Sequence, residues 1–278
     1  MAHSGWHIAL VAVALLVSSS RMLDVPLDEM LLLASAAGAF LVYVLDRQWG
    51  RDEDRVNHPD RERWWLARGR VRWIVVGVLA GVAVWAGLQL PVRVLVVGLG
   101  LGAIGLAYVG PWGQWSLKRL SGRARFVVVA LVWGVAVVVL PGLASAAQSG
   151  PGSGAAWSSL VLLAAYRTAW LIPNTLAAEY HGREGDRTAG MQNVTRDWTR
   201  ASLTRWTWMA VVAATVLAAA LLVVLPSGVR WILITDGIGL LAMGVYIGRV
   251  GDITGSVIFV LDLMVMWPVV PALFMGAN

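Results

Sequence analysis

The sequence predicts an all-α integral membrane protein: nine transmembrane helices in a bundle around a central cavity, two parallel four-helix repeats plus one further helix. Three observations carry this. Of the 278 residues, 58% are apolar and only 14% charged, and the apolar residues gather into runs near the ~20 residues that cross a bilayer core. The basic residues alternate from loop to loop along the chain. Two long polar segments, about 47–71 and 179–203, each follow an even-numbered run. Four spans separate them, and an even number relates the two halves by a parallel rather than an inverted repeat.

Taken in order, the runs lie at about 6–23, 27–46, 72–90, 92–112, 125–147, 157–178, 204–225, 230–248 and 254–275. The first, "GWHIALVAVALLVSSS", has the short apolar core of a signal peptide but neither a basic start nor a small-x-small cleavage site, so it reads as a retained helix. The second ends on Asp46. The third and fourth carry Gly77, Gly81, Gly100, Gly102 and Gly105. The last three fit a dinucleotide fingerprint, but they lack the preceding strand that such a site needs, so these glycines predict close helix packing. The fifth run leads into "AAQSGPGSGAAW" (146–157), a flexible outward loop. The sixth contains Arg167, and its Pro173 predicts a kink just before Asn174. Asp236 and Asp262 lie in the eighth and ninth. Ionisable groups at this depth are functional or paired, and either acid could partner Arg167, lining the cavity or fixing helix packing. No break in composition divides the chain, so residues 1–278 form one domain.

Of the 22 Lys and Arg, 18 lie on the loops between runs 2–3, 4–5, 6–7 and 8–9 or at their edges, while the opposite loops hold only Arg21, Arg93 and Arg230. This asymmetry places the basic loops and the N-terminus in the cytoplasm and the C-terminus outside. A basic face against anionic lipid accounts for the net charge of +6 without nucleic acid. The absence of cysteine excludes disulfides and thiolate metal sites.

The opening of the first polar segment, "DRQWGRDEDRVN", puts Asp46 and Glu53 within about 20° of each other if it is helical, with Asp54 nearby. In "EYHGREGDRTAG", Glu179 and Asp186 are seven residues apart and again share a face. Facing carboxylates repel unless cations sit between them, and Mg²⁺ takes one or two carboxylates while sharing phosphate oxygens. Arg47, Arg51, Arg55, Arg61, Lys118, Arg119, Arg183 and Arg187 stand close by in sequence. Mixed acid and base at a membrane face points to a diphosphate held by metal on one side and by guanidinium or ammonium on the other. Charge runs of this kind also serve as solvated, topology-setting faces, and spacing alone leaves both readings open.

The segment "DRVNHPDR" (54–61) resembles the end of the first acidic motif of the UbiA-type intramembrane prenyltransferases, the superfamily of the hydroxybenzoate polyprenyltransferases. "EGDRTAG" (184–190) is similar to the end of their second acidic motif, and "YVGPWGQWSLKR" (108–119) to their tyrosine-to-lysine loop. The resemblance implies that Asp46, Asp54, Glu179 and Asp186 are the catalytic acids and hold Mg²⁺, more than one ion. It also implies that Arg47, Arg51, Asn57, Arg61, Lys118, Arg119, Arg183 and Arg187 bind a substrate diphosphate. The chain departs from the pattern in that Arg47 and Gly50 stand where the first motif has its first and middle acids. Gly182 replaces the middle acid of the second, and Asp46 is offset by one position.

The implied reaction is ionisation of an allylic isoprenoid diphosphate and transfer of the prenyl group to an aromatic or lipid acceptor within the membrane. A terpene cyclase using the same ionisation is the alternative, and a non-catalytic isoprenoid-binding protein the second. Partitioning agrees, since a fifteen-carbon tail at roughly 0.8 kcal/mol per CH₂ gains on the order of 10 kcal/mol in apolar surroundings. Its charged head must stay at the boundary. Trp115, Tyr166, Trp170, Asn174 and Arg167 are the candidate cavity residues, the aromatic faces offering about 0.5–2 kcal/mol each to a carbocation. The topology is checked by single cysteines in this cysteine-free chain: a membrane-impermeant maleimide applied to intact cells should label Ser227→Cys and spare Asp252→Cys.

Overall fold

The computed structural model describes residues 5–49, 56, 63, 67, 69–148 and 157–274. The apolar runs form helices α1 (His7–Met22), α2 (Glu29–Trp49), α3 (Gly69–Gly87), α4 (Val92–Val109), α5 (Arg125–Gln148), α6 (Trp157–Thr188), α7 (Arg200–Val224) and α8 (Arg230–Arg249). The ninth run divides into α9 (Gly255–Val265) and α10 (Val269–Phe274). There is no strand among the described residues. Among the described residues, eight segments, α2 to α8 and Gly255–Phe274, are long and apolar enough to cross a membrane, whereas α1 has 16 residues and is shorter. The protein is a multi-pass membrane protein.

Helix starts are set by local polar groups. The Asp28 carboxylate accepts from the amides of Met30 and Leu31 at the start of α2. The hydroxyls of Thr199 and Thr254 do the same for α7 and α9, satisfying donors that a helix leaves orphaned. The C-terminal carbonyls of α8 are taken by a side chain from elsewhere: Arg200 donates to Val250 O at 2.6 Å, to Gly251 O at 3.2 Å and to Ile247 O.

The outer helices α3 and α4 expose Val71, Ile74, Val78, Val92, Val96 and Leu99 to between 55% and 74%. Such a surface needs hydrocarbon against it, because in water it would be a contiguous apolar patch. The centre is built on α1 and α6. Helix α1 packs against α2, α5, α8, α9 and α10, and α6 against α5, α7, α8 and α9. Leu15, Leu16, Leu163, Leu176, Leu203, Leu240, Met243 and Leu261 form the core between them. A smaller cluster of Leu31, Val94, Leu140 and Ala144 ties α2 and α4 to α5.

Close backbone approach occurs away from the glycines singled out in the sequence. A Cβ on Gly77, Gly81, Gly100 or Gly102 would meet nothing within 4 Å, and one on Gly105 would lie 3.2 Å from Val42. These positions, Gly105 apart, face open space on the peripheral helices, which corrects the packing expectation for them. The tight contact is instead at Gly134, where a Cβ would lie 2.7 Å from the amide nitrogen of Thr168 and 3.0 Å from the carbonyl oxygen of Ala164. It brings α5 directly onto the backbone of α6.

Helix α6 runs unbroken through Pro173 to Thr188, well past the end of its apolar run. Proline removes one amide donor from the helix, and the Thr175 hydroxyl donates to the carbonyls of Leu171 and Ile172 beside it. In the core, Arg167 is fully buried, and its Nη1 donates to Asp236 Oδ2 at 2.7 Å, both side chains being 0% exposed. Its Nε donates to Ser19 Oγ at 3.3 Å, and Nη2 to Ser18 Oγ. Trp170 Nε1 donates to the Asp236 carbonyl at 3.4 Å, and Tyr166 is buried beside them. This pair binds α6 to α1 and α8.

Removing one member of a buried pair leaves the other charge uncompensated. Arg167→Ala should therefore lower stability by about 3–5 kcal/mol, while Arg167→Met with Asp236→Leu should be near neutral. Thermal unfolding of the detergent-solubilised variants checks both, and equal losses in the single and double variants would show that charge pairing is not what the core depends on.

Candidate diphosphate site

The extension of α6 beyond its apolar run carries the second acidic segment as helix. Seven residues separate Glu179 from Asp186, a rotation of only about 20° from one face, and both carboxylates meet the guanidinium of Arg125, the first residue of α5. Arg125 Nε donates to Glu179 Oε1 at 2.7 Å, Nη1 to Asp186 Oδ1 at 3.4 Å, and Nη2 to both Glu179 Oε2 and Asp186 Oδ2. The side chains are 5%, 12% and 4% exposed for Arg125, Glu179 and Asp186. Asn193, in the loop after α6, closes the cluster by donating to Asp186 Oδ2 at 2.6 Å and to the Glu179 carbonyl at 3.0 Å. Its own amide oxygen accepts from the amide and the hydroxyl of Thr195, both at 2.7 Å. Asn193 thus anchors a buried turn.

Between α4 and α5 the chain makes a one-turn helix, Leu117–Leu120, bracketed by Gly113 (φ +57°) and Gly122 (φ +48°), left-handed positions that favour glycine. Ser116 caps this turn by accepting from the Arg119 amide. The turn presents Lys118, whose Nζ lies 3.5 Å from Asp46 Oδ1 near the end of α2, while Arg47 Nη1 lies 3.6 Å from Asp46 Oδ2. Lys118 is also within electrostatic reach of Glu179, and Tyr108 of Arg125. The ends of α2, α4 and α6 and the start of α5 therefore converge on one basic and acidic cluster.

The two sides of this cluster differ in tightness. Charge-assisted pairs close to about 2.7–2.9 Å when fully made. The α6 acids reach that range with Arg125, but Asp46 stands off both Lys118 and Arg47. Arg47 lies over the Tyr43 ring at 4.9 Å. Arg183, one turn beyond Glu179, stacks on Tyr180 at 3.8 Å, and its buried Nη1 has no hydrogen-bond partner among the described residues. A buried cationic donor left over in this way, Arg183 Nη1, is what an incoming polyanion can take.

The other expected residues are dispersed. Arg119 donates to the Ala189 carbonyl at 3.3 Å and tethers the turn to the end of α6. Arg187 is on the surface, 3.9 Å from Glu184. Trp115 is 71% exposed, whereas Tyr166, Arg167 and Trp170 are packed solid in the core. Asn174 donates to Asp262 Oδ1 at 3.0 Å, and the other oxygen of Asp262 lies 3.2 Å from His7 Nε2. Asp262 is therefore the partner of His7 and Asn174, and Asp236 that of Arg167. Asp54, Arg51, Asn57 and Arg61 lie outside the described residues. Among those described, no three His, Asp or Glu gather as a metal-holding group. Arg125 and Asn193 are site residues that the sequence does not single out: the first stands among the basic residues of a membrane edge, and the second lies in the polar segment after run six.

The chain matches the model of the UbiA prenyltransferase family over residues 7–273. A UbiA homologue from Aeropyrum pernix K1, solved without ligand, is similar in structure with a TM-score of 0.65 at 13% identity, covering 98% of each chain. A UbiA homologue from Archaeoglobus fulgidus bound to DMAPP and Mg²⁺ gives 0.67 at 13% identity, covering 98% of this chain and 97% of that one. The same homologue bound to GPP and Mg²⁺ gives 0.66 at 14% identity with the same coverage. A comparison with curated proteins found no match.

Proposed function

The chain belongs to the UbiA prenyltransferase family, and on that premise we propose that it ionises an allylic isoprenoid diphosphate and transfers the prenyl group to an acceptor within the membrane. The observation that carries this reading is the convergence of Lys118 and Arg47 on Asp46, with Arg183 nearby on α6, at the mouth of an apolar bundle. Structurally similar UbiA homologues hold DMAPP or GPP with Mg²⁺, which supports the substrate class.

The acids bear on where a divalent ion fits. All four carboxylate oxygens of Glu179 and Asp186 accept from Arg125, so the α6 pair does not fit an ion that needs near-octahedral oxygen ligation. Of the other expected acids, Asp46 is the one among the described residues, within an ion-pair cluster of its own. The chemistry is accordingly derived for the chain's own cations.

A diphosphate arriving at the mouth competes with Asp46 for Lys118 and Arg47 and offers Arg183 Nη1 an acceptor. The prenyl tail enters the hydrocarbon side. As the C1–O bond breaks, the electron pair leaves on pyrophosphate, and the cations stabilise that growing negative charge more than they stabilise the bound substrate. This is the differential that lowers a barrier. The acceptor's nucleophile then bonds to C1 and releases its proton.

The test is incubation of the detergent-solubilised protein with dimethylallyl, geranyl, farnesyl and geranylgeranyl diphosphates and Mg²⁺, with and without an added aromatic or lipid acceptor, following pyrophosphate release. Lys118→Ala should slow that release about 10²-fold, the usual loss for one electrostatic stabiliser. Cyclic hydrocarbon formed without acceptor would replace transfer by cyclisation. Release no faster than in a Lys118→Ala, Arg47→Ala protein would remove the catalytic reading.

A further inference from the structure

We propose that the Arg125 guanidinium is a built-in cation that occupies the α6 acid pair in place of a divalent ion, so that this half of the site is assembled without metal. The inference deepens the proposed function, since it concerns how the same site is charged, but the contacts that carry it are independent of any reaction.

A guanidinium offers five donors in a planar fork, and here its three nitrogens reach all four oxygens of two carboxylates. The remaining contacts add to the enclosure. Nη1 lies 3.9 Å from Met191 Sδ, and Asn193 donates to the same Asp186 oxygen that Nη2 reaches. On this face the position between the two acids is Gly182, which brings no side-chain oxygen. The pair can thus supply at most four oxygens, and a hexacoordinate ion at about 2.1 Å from each would have to displace Arg125 to reach them.

Displacement has nowhere favourable to go. Arg125 is 4% exposed at the head of a membrane-spanning helix, and guanidinium keeps its proton at any ordinary pH. Withdrawn from the acids, it would be a buried charge without a counter-ion, the most costly state available to it. Arg125 meets the two carboxylates with one unit of charge, and Lys118, the ion-pair partner of Asp46, lies within electrostatic reach of Glu179. The role assigned to Arg125 is positioning: it holds the end of α6, and with it Arg183, at the mouth where Lys118 stands.

The experiment counts Mn²⁺ bound per chain by electron paramagnetic resonance in the full-length detergent-solubilised protein with inorganic pyrophosphate. The proposal expects Glu179→Gln with Asp186→Asn to leave the wild-type count unchanged. It expects Arg125→Gln to raise the count by one ion per chain, and that extra ion to vanish when the two acid substitutions are added. A wild-type count that falls by an ion in the Glu179→Gln, Asp186→Asn protein overturns it, as does an Arg125→Gln protein that folds yet gains none. If Arg125→Gln does not fold, the acid double variant alone decides. Because the count needs no turnover, failure to ionise any prenyl diphosphate would sink the functional reading while leaving this one to stand or fall separately.

Discussion

An ionised side chain inside a lipid-embedded bundle must bring its counter-charge with it, and the polar architecture of this protein follows from that constraint. At mid-bundle, Arg167 and Asp236 are both completely buried and meet at 2.7 Å, with Ser18 and Ser19 taking the guanidinium's other donors. At the polar end of α6, Arg125 meets two carboxylates at once. Closer still to the boundary, Asp46 stands 3.5 and 3.6 Å from its two cations. Pairing is thus close where the side chains are buried, and Asp46, with 19% of its side chain exposed, lies where water can share the work of solvation.

Helix α6 organises this gradient. Arg167 and Asn174 are seven residues apart and share one face; Glu179 and Asp186 repeat that spacing on another. Between Asn174 and Glu179 the helix rises about 7.5 Å and turns by about 140°. The inner face looks to α1, α8 and α9, where Arg167 and Asn174 find Asp236, Asp262 and the serines. The outer face looks to α5, where Arg125 waits. A single helix thereby locks the bundle at one level and shapes its mouth at the next. Its close backbone contact with α5 at Gly134 keeps the two levels in register.

Much of this was legible in the residues. Run length and charge alternation announced a polytopic helical protein, and the seven-residue spacing of Glu179 and Asp186 did place both on one face. Sites that depend on which helices meet were less so. Gly100 and Gly102 carry the small-residue pattern of a packing face but look outward, while Gly134, with no repeat to mark it, sits where two backbones touch. Arg125 looked like one more basic residue at a membrane edge, and its reach to α6 is a contact across 54 residues of chain. The first apolar run reads as a retained helix, but nothing along the chain marks the serines that close it as donor-satisfying partners for Arg167.

The sequence by itself determined that the chain lives in a bilayer, where its helices begin, and that acids and bases crowd one end of it. Those properties depend on hydropathy and on spacing along a single helix, and both are local. Only the tertiary structure decided which acid answers which base: Asp236 rather than Asp262 for Arg167, and Arg125 rather than open space for Glu179 and Asp186. Charges of equal sign are interchangeable when read along a chain. In a medium that solvates none of them, the partner is whichever opposite charge the helix packing brings within a few ångströms.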